Sequence, residues 1–568
     1  MKPKFQRLFR TCIFPVPLTL AIGSSHAQTQ VWDHAGATDV WDAGSSANWD
    51  SGTTWTNNNT AQFDAGTDTS VTVSGTVEAA SLSFGANWAN DFSLVGDSID
   101  FGASLGSIDS SAVSTTGARK IYIQNNLIGS GGLTINAHGD LSASGGSNGA
   151  YLQFGGDNSG LTGGIAITGG LVDALTNNAF GSNQITLTNG GGILDANHNV
   201  TLANDIIAGN GGGTIRLYGA ATTTLSGNIS GSSFLNHTDG GTLNLTGDMS
   251  GFSGTFNQQA GTTNFRNGAT ALTGTLTISG GTASIENTAT NTYSAVNLNA
   301  GTLRIKSNNN ALGSANLSVG GSATLATQLS SSAITLTNNA TIAGTSTLSV
   351  DAGYANITWN GDITGTGTKL RTSSSGTLTL GGTVNMGSTS SGNVSVESSG
   401  TMILGSGATV TAGSVFNNNS SGSLTIDGAS IDTGNLSLSN NGSINLISGT
   451  TNATIVALTN QTGSLNISGG TLNTNYFNIG GGGNSSGRIL QSGGTVNVNA
   501  GGNGFRIGHW NNGGNAGSLY NLSGGILDAT GLSTNSGSAR LVNIGWDGQG
   551  DMIVGGGESS ATLKAFGI

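Results

Sequence analysis

Proline and cysteine run out early in this chain. Pro3, Pro15, Pro17 and the single Cys12 all precede residue 28, and neither residue type occurs after it. Proline brings no backbone donor and breaks any interior strand ladder it enters, so its absence is what uninterrupted strand pairing requires. Without cysteine the remainder has no disulfide, and Cys12 lacks the lipobox-like run that lipid anchoring needs. Charge is sparse too: Asp, Glu, Lys and Arg make up 8% of the residues, against roughly a quarter in ordinary proteins. Solubility must then rest on Asn, Thr and Ser. The balance is acidic, with 28 Asp and Glu against 16 Lys and Arg, and Lys2, Lys4, Arg7 and Arg10 belong to the extreme N-terminus. That sign argues against a nucleic-acid partner. No stretch approaches the ~20 apolar residues of a membrane span, and none shows a sustained helical period with capping residues.

What is present starts with a leader-like segment. Residues 1–27 combine the four basic residues, an apolar stretch from Ile13 to Ile22 and Ser25-His26-Ala27, the pattern of a signal peptide cleaved after Ala27. An exported mature chain is expected. Its 97 glycines would suit a disordered polymer, but the apolar residues are patterned. Thr275-Leu276-Thr277-Ile278, Leu378-Thr379-Leu380 and Val496-Asn497-Val498 alternate strictly, as half-buried strands do.

The strands come in repeats. Asn158-Ser159-Gly160-Leu161-Thr162-Gly163, Ser250-Gly251-Phe252-Ser253-Gly254 and Asn291-Thr292-Tyr293-Ser294-Ala295 each lead to a Gly-Thr or Gly-Leu strand, at Gly170, Gly261 and Gly301. Two copies continue into Asn178-Ala179-Phe180-Gly181-Ser182 and Asn310-Ala311-Leu312-Gly313-Ser314. A second repeat is Phe477-Asn478-Ile479-Gly480, Phe505-Arg506-Ile507-Gly508 and Val542-Asn543-Ile544-Gly545. Three short strands and three tight turns need a little over twenty residues, one coil of a β-solenoid. The expected architecture is therefore all-β, an elongated right-handed parallel β-helix with almost no helix. Stacking some two dozen coils at ~4.8 Å gives a rod on the order of 110 Å long.

Four regions follow: the leader 1–27, a Trp-rich region 28–95, a β-helix 96–460 and C-terminal solenoid repeats 461–568. The second region holds Trp32, Trp41, Trp49, Trp55 and Trp88, bulky enough to cover the first coil as a cap. The closing Ala565-Phe566-Gly567-Ile568 resembles the start of another unit, so the array is expected to stop mid-repeat.

The Asn-x-aromatic-Ser-Gly units, the Gly-Thr-Leu strands and the Asn-Ala-Leu-Gly-Ser segment resemble the autotransporter-associated β-strand repeat. Val40-Trp41-Asp42, Ala47-Asn48-Trp49, Thr54-Trp55 and Ala61-Gln62-Phe63 are similar to the opening of long secreted proteins of that kind. The resemblance implies a parallel β-helix passenger at a Gram-negative outer-membrane surface or in the extracellular space. Members commonly end in a membrane barrel or a sorting helix, and neither pattern is visible here.

Chemistry is thinly represented. Arg304-Ile305-Lys306 imitates the basic motif of β-helix pectin hydrolases, but the Asn-Thr-Asp, paired-Asp and Gly-His-Gly motifs expected before it are absent, and a solvated strand face explains it. Asp173 and Asp195 are the better carboxylate candidates, because one-coil spacing would stack them at about 5 Å, with His198 three residues on. Asp528 in a similar Leu-Asp-Ala setting argues that Asp simply ends this strand type. Gly548-Gln549-Gly550-Asp551 resembles one calcium nonapeptide without neighbours, and the five histidines past the leader show no metal-ligand spacing. Trp41, Trp49 and Trp55 are candidate glycan contacts, with terminal packing the favoured alternative. The reading is a non-catalytic structural or adhesive protein with no cofactor, its partners surface glycans or other cell-surface proteins. A polysaccharide-active β-helix enzyme and a passive glycan binder are the alternatives.

Overall fold

Alternating residues turn their side chains to opposite faces of a strand, and in this chain one set consistently turns inward. A computed structural model describes residues 27–565, except 37, 65–68, 87–89, 115–118, 140–149, 267, 269–270, 307–308, 329–332, 367, 420, 460–462, 481–485, 500–503, 509–516, 533–541, 546–548 and 558–559. Residues 1–26 of the leader, Trp88, His509 and Phe566 to Ile568 thus lie outside the described residues. All regular structure among them is β-strand, paired in parallel and stacked as a β-solenoid. No helix among them is long and apolar enough to cross a membrane.

The coil has three faces. On the second, one parallel ladder runs unbroken from Val40–Asp42 through Leu171–Ala174, Thr275–Ile278 and Thr383–Gly387 to Ala561–Ala565. The third carries Thr222–Leu225, Thr242–Leu245, Thr262–Phe265, Thr282–Ile285 and Thr302–Ile305 in register, Thr on Thr. The first runs from Thr29–Trp32 to Ile229–Gly231 and resumes at Ile334–Leu336. Coil length follows from these registers: Thr262 meets Thr282, Val172 meets Ile193 and Leu317 meets Ala340.

Between Gly231 and Ile334, where the first face has no strands, the Ser250 and Asn291 copies of the repeat motif supply the corner instead, whereas its Asn158 copy precedes the first-face strand Ile165–Gly169. Leu161, Phe252 and Tyr293 are the apolar positions of its three copies, and all are buried. The motif's leading Asn has a separate task. Asn291 is 1% exposed; its Oδ1 accepts the Leu272 N–H at 2.9 Å from one coil, and its Nδ2 donates to Ala311 O at 2.8 Å in the next. Asn158 does the same with Leu127 and Ala179, both at 2.7 Å. A buried corner would otherwise leave these backbone groups unpaired, at about 1–3 kcal/mol each.

Glycine keeps the coils close. Gly261, Gly281 and Gly301 stack with φ of 64°, 62° and 71°. A Cβ on Gly281 would fall 2.3 Å from Gly261 O of the coil below, which explains why Gly precedes Thr262, Thr282 and Thr302 of the ladder. The interior is Leu, Ile, Val and Ala with occasional Phe, as in Leu276, Ile278, Ala283 and Ile285 of one coil. Each large side chain contributes roughly 1.5–3 kcal/mol by leaving water. Outside, amides form ladders: Asn473 Nδ2 donates to Asn452 Oδ1, and Asn497 Nδ2 to Asn473 Oδ1, both at 2.8 Å.

Candidate functional site

Four successive strands of the second face depart from alternation. Tyr151–Phe154, Leu171–Ala174, Gly192–Asp195 and Gly213–Leu217 are buried along their whole length, so their outward side chains are covered as well. Tyr151, Leu171 and Leu194 form a second small apolar cluster there, with Ala196 packed against it. The outward row reads Tyr122, Gln153, Asp173, Leu194 and Arg216.

Asp173 and Asp195 both lie here with no exposed surface, but they do not stack as their sequence spacing predicts. The register sets Asp173 beside Leu194, one residue short of Asp195. Consecutive strand residues face opposite ways, so Asp173 points outward and Asp195 into the solenoid. The sequence spacing counts one residue more than the register does.

Both carboxylates instead serve one loop. Asp195 Oδ1 accepts the His198 N–H at 2.6 Å, and its Oδ2 accepts the Thr223 hydroxyl at 2.7 Å and the Val200 N–H at 3.3 Å. Asp173 Oδ1 accepts the Ala196 N–H at 3.1 Å and its Oδ2 the Gln153 amide at 2.7 Å, while His198 Nε2 stands 3.3 Å from the same oxygen. Asn197 and Asn199 flank the imidazole with φ of 73° and 59°, strained values that the surrounding bonds hold in place. The Asp173 carboxylate raises the His198 pKa above the ordinary imidazole value, against desolvation by burial. Side-chain exposure of 24% for His198 and none for Asp173 makes this a shielded acid–base pair with only its imidazole edge in water. General acid–base chemistry needs such a pair within reach of a substrate proton. No group of three or more His, Cys, Asp or Glu able to hold a metal occurs among the described residues.

The tryptophans correct the second site expectation. Trp41 and Trp49 are fully buried and Trp55 is 4% exposed. Ring centroids lie 5.3 Å apart for Trp41 and Trp49, 5.1 Å for Trp41 and Trp55, and 4.7 Å for Trp49 and Trp55, with Phe63 against the first two. A sugar needs an exposed ring face, and these faces are spent on one another. Beside them, Asn48 O accepts the Asp33 N–H and the Asp50 N–H reaches Val31 O, each at 3.0 Å. This antiparallel bridge meets the edge of Thr29–Trp32 opposite its partner Asn59–Phe63. An adjoining groove is lined by Gln30, Thr54, Asn58, Asn59, Phe101 and Leu105. Its Gln30 is already committed, donating to Thr54 O at 3.1 Å and accepting from Thr56 N at 2.8 Å.

The remaining motifs are structural or ionic. Lys306 belongs to an ion pair with Glu286 at 2.9 Å, and Arg304 points outward from the strand Thr302–Ile305 that Lys306 directly follows. Gly550–Val554 is a strand paired with Ser518–Leu522. The Phe477 repeat stacks as its sequence implies, Phe477 on Phe505 on Val542. His138 and His237 are buried with their pKa values lowered to about 4 by desolvation. His138 bonds Ser110 Oγ at 2.9 Å and Arg119 O at 3.0 Å, and His237 bonds Thr263 Oγ1 at 2.8 Å inside the solenoid.

Sequence reasoning missed the buried Asn corners and the hold of Asp173 on His198. The first was visible as the Asn leading two of the three repeat copies, Asn158 and Asn291; the second depends on a register that no local pattern reports. No family model, curated protein or solved structure matches this chain.

Proposed function

We propose that the chain is a non-catalytic exported rod, a scaffold or adhesive element of the autotransporter-associated repeat type, held at an outer-membrane surface or released outside the cell. The observation that carries this reading is the unbroken ladder from Val40 to Ala565. Such a ladder sets a fixed reach, and the outward amide rows offer many equivalent hydrogen-bonding positions along it. The leader-like residues 1–27 supply the export part of the reading. Fractionation of a producing strain with N-terminal sequencing is the test, joined to small-angle scattering of the purified chain. A mature protein starting at Gln28 outside the cytoplasm, with a rod-like scattering profile, is expected. A cytoplasmic product that keeps its leader, or a globular profile, overturns the reading.

A second reading has one observation in its favour, the shielded Asp173–His198 pair. An enzyme acting on acidic polysaccharides would use it for proton transfer. Turnover of polygalacturonate or alginate, lost in both Asp173→Asn and His198→Ala with the fold retained, would establish that reading over the first.

A further inference from the structure

Between Arg216 and Arg488 the sequence holds five basic residues: Arg266, Arg304, Lys306, Lys369 and Arg371. All five stand on the third face. Thr262–Phe265, which Arg266 directly follows, Thr302–Ile305, which Lys306 directly follows, and Lys369–Thr372 are members of that one ladder. Phe265, Leu303, Ile305 and Leu370 occupy the inward positions of these strands, which leaves the cations on the solvent side. Chance would rarely gather all of them on one face of three.

Their charges are not used up where they stand. Arg266 and Lys306 flank Glu286 from one coil on either side, at 2.7 and 2.9 Å. Lys369 and Arg371 share Glu397 at 2.5 and 2.7 Å. In both groups the carboxylate is the more covered partner, 17% and 18% exposed, while the cations range from 25% to 45%. Each acid therefore lies beneath its cations, and each group keeps a positive outer side. Arg304 makes no ion pair among the described residues. The other acids of this stretch, Asp239, Asp248, Asp362, Asp427 and Asp432, fall at turns or on another face; only Asp351 joins Glu286 and Glu397 here.

We propose that this face binds a linear carboxylated polysaccharide laid along the rod. This deepens the adhesive reading above and rests on it. Ladder neighbours stand ~4.8 Å apart, comparable with the length of one sugar ring in an extended glycan. Arg266 and Lys306, two coils apart, are then separated by ~10 Å along the axis, and Arg304 and Arg371, three coils apart, by ~14 Å. A chain of carboxylates running parallel to the axis meets each basic group in turn. One exposed charge contact is weak, but contacts on a single polymer reinforce one another through effective concentration. Nucleic acid fits poorly, because its dense phosphates would face the acid excess of the whole molecule.

The experiment measures retention of the purified full-length chain on immobilised polygalacturonate and on neutral dextran, at low and high salt, with duplex DNA as competitor. Retention on polygalacturonate at low salt, lost at high salt, is expected. Arg304→Glu leaves both ion-pair groups intact and lowers affinity about fivefold. The triple variant Lys369→Gln, Arg371→Gln, Glu397→Gln removes the second group without stranding its acid, and lowers affinity by a similar factor with an unchanged circular-dichroism spectrum. Equal retention on dextran, unchanged affinity in both variants, or DNA competing as well as polygalacturonate overturns the proposal. Cells carrying the chain that attach to a neutral glycan while the purified chain ignores polygalacturonate would overturn the stripe and leave the adhesive reading standing.

Discussion

At the scale of single residues, the buried polar groups set the response to pH, and they pull in opposite directions. His138 and His237 stay neutral in the folded chain to about pH 4 because burial penalises their charge, whereas unfolded histidine takes up its proton near pH 6.5. Their contribution is complete above the unfolded value and disappears as pH falls from 6.5 towards 4, by on the order of 3 kcal/mol each. His198 has the reverse sign: its raised pKa stabilises the fold below pH 6.5 and is lost as pH climbs through the folded value. Melting temperature against pH should therefore fall on the acid side, a slope that His237→Gln reduces, while Asp173→Asn flattens the neutral-to-alkaline side. An acid slope identical in wild type and His237→Gln would contradict the first assignment. Asn291→Ala should cost about 2–4 kcal/mol, since it strands Leu272 N and Ala311 O in the interior. Asn257→Ala removes only an outward amide contact, to Asn236 at 2.8 Å, and should cost about 0.5 kcal/mol or less; denaturant melts of the two compare them directly.

At the scale of elements, the glycine stack makes a sharper contrast. Gly281 and Gly344 share a left-handed φ, 62° and 61°, but a Cβ at Gly281 strikes the neighbouring coil and one at Gly344 meets nothing within 4 Å. Gly281→Ala should lose about 2–4 kcal/mol by unfolding equilibrium and Gly344→Ala about 1. Strand existence was legible in the sequence because period-two alternation is local, and the stacking of Phe477 on Phe505 followed from a repeated string. Register was not. Asp173 and Asp195 sit in near-identical strings, yet the loop after Asp195 holds two left-handed asparagines and the coils align one residue away from the string match. Exposure was no easier to read. Trp41, Trp49 and Trp55 are amphipathic rings whose sequence setting suits a sugar platform as well as a core, and only the mutual packing of the four tryptophans with Phe63 decides between them.

For the whole molecule, a stacked array divides its stability into what each coil contributes and what adjacent coils share. Its ends are then the places where unravelling starts. The aromatic cluster around Trp49 and the bridge from Asn48 to Asp50 cover the first coil, so deleting residues 28–90 should lower the melting temperature, and Trp49→Ala should cost about 3–5 kcal/mol. An unchanged melting curve for the deletion would show that this region does not cap the array.

The ladder has a mechanical side. Its amide bonds point along the long axis, so a pull between the two termini opens them like a zipper instead of shearing many at once. Each released winding of about twenty residues pays out roughly 70 Å of slack. A tether made this way yields at low tension, in even steps visible to an optical trap or a cantilever, and takes up the same length again when the load is removed.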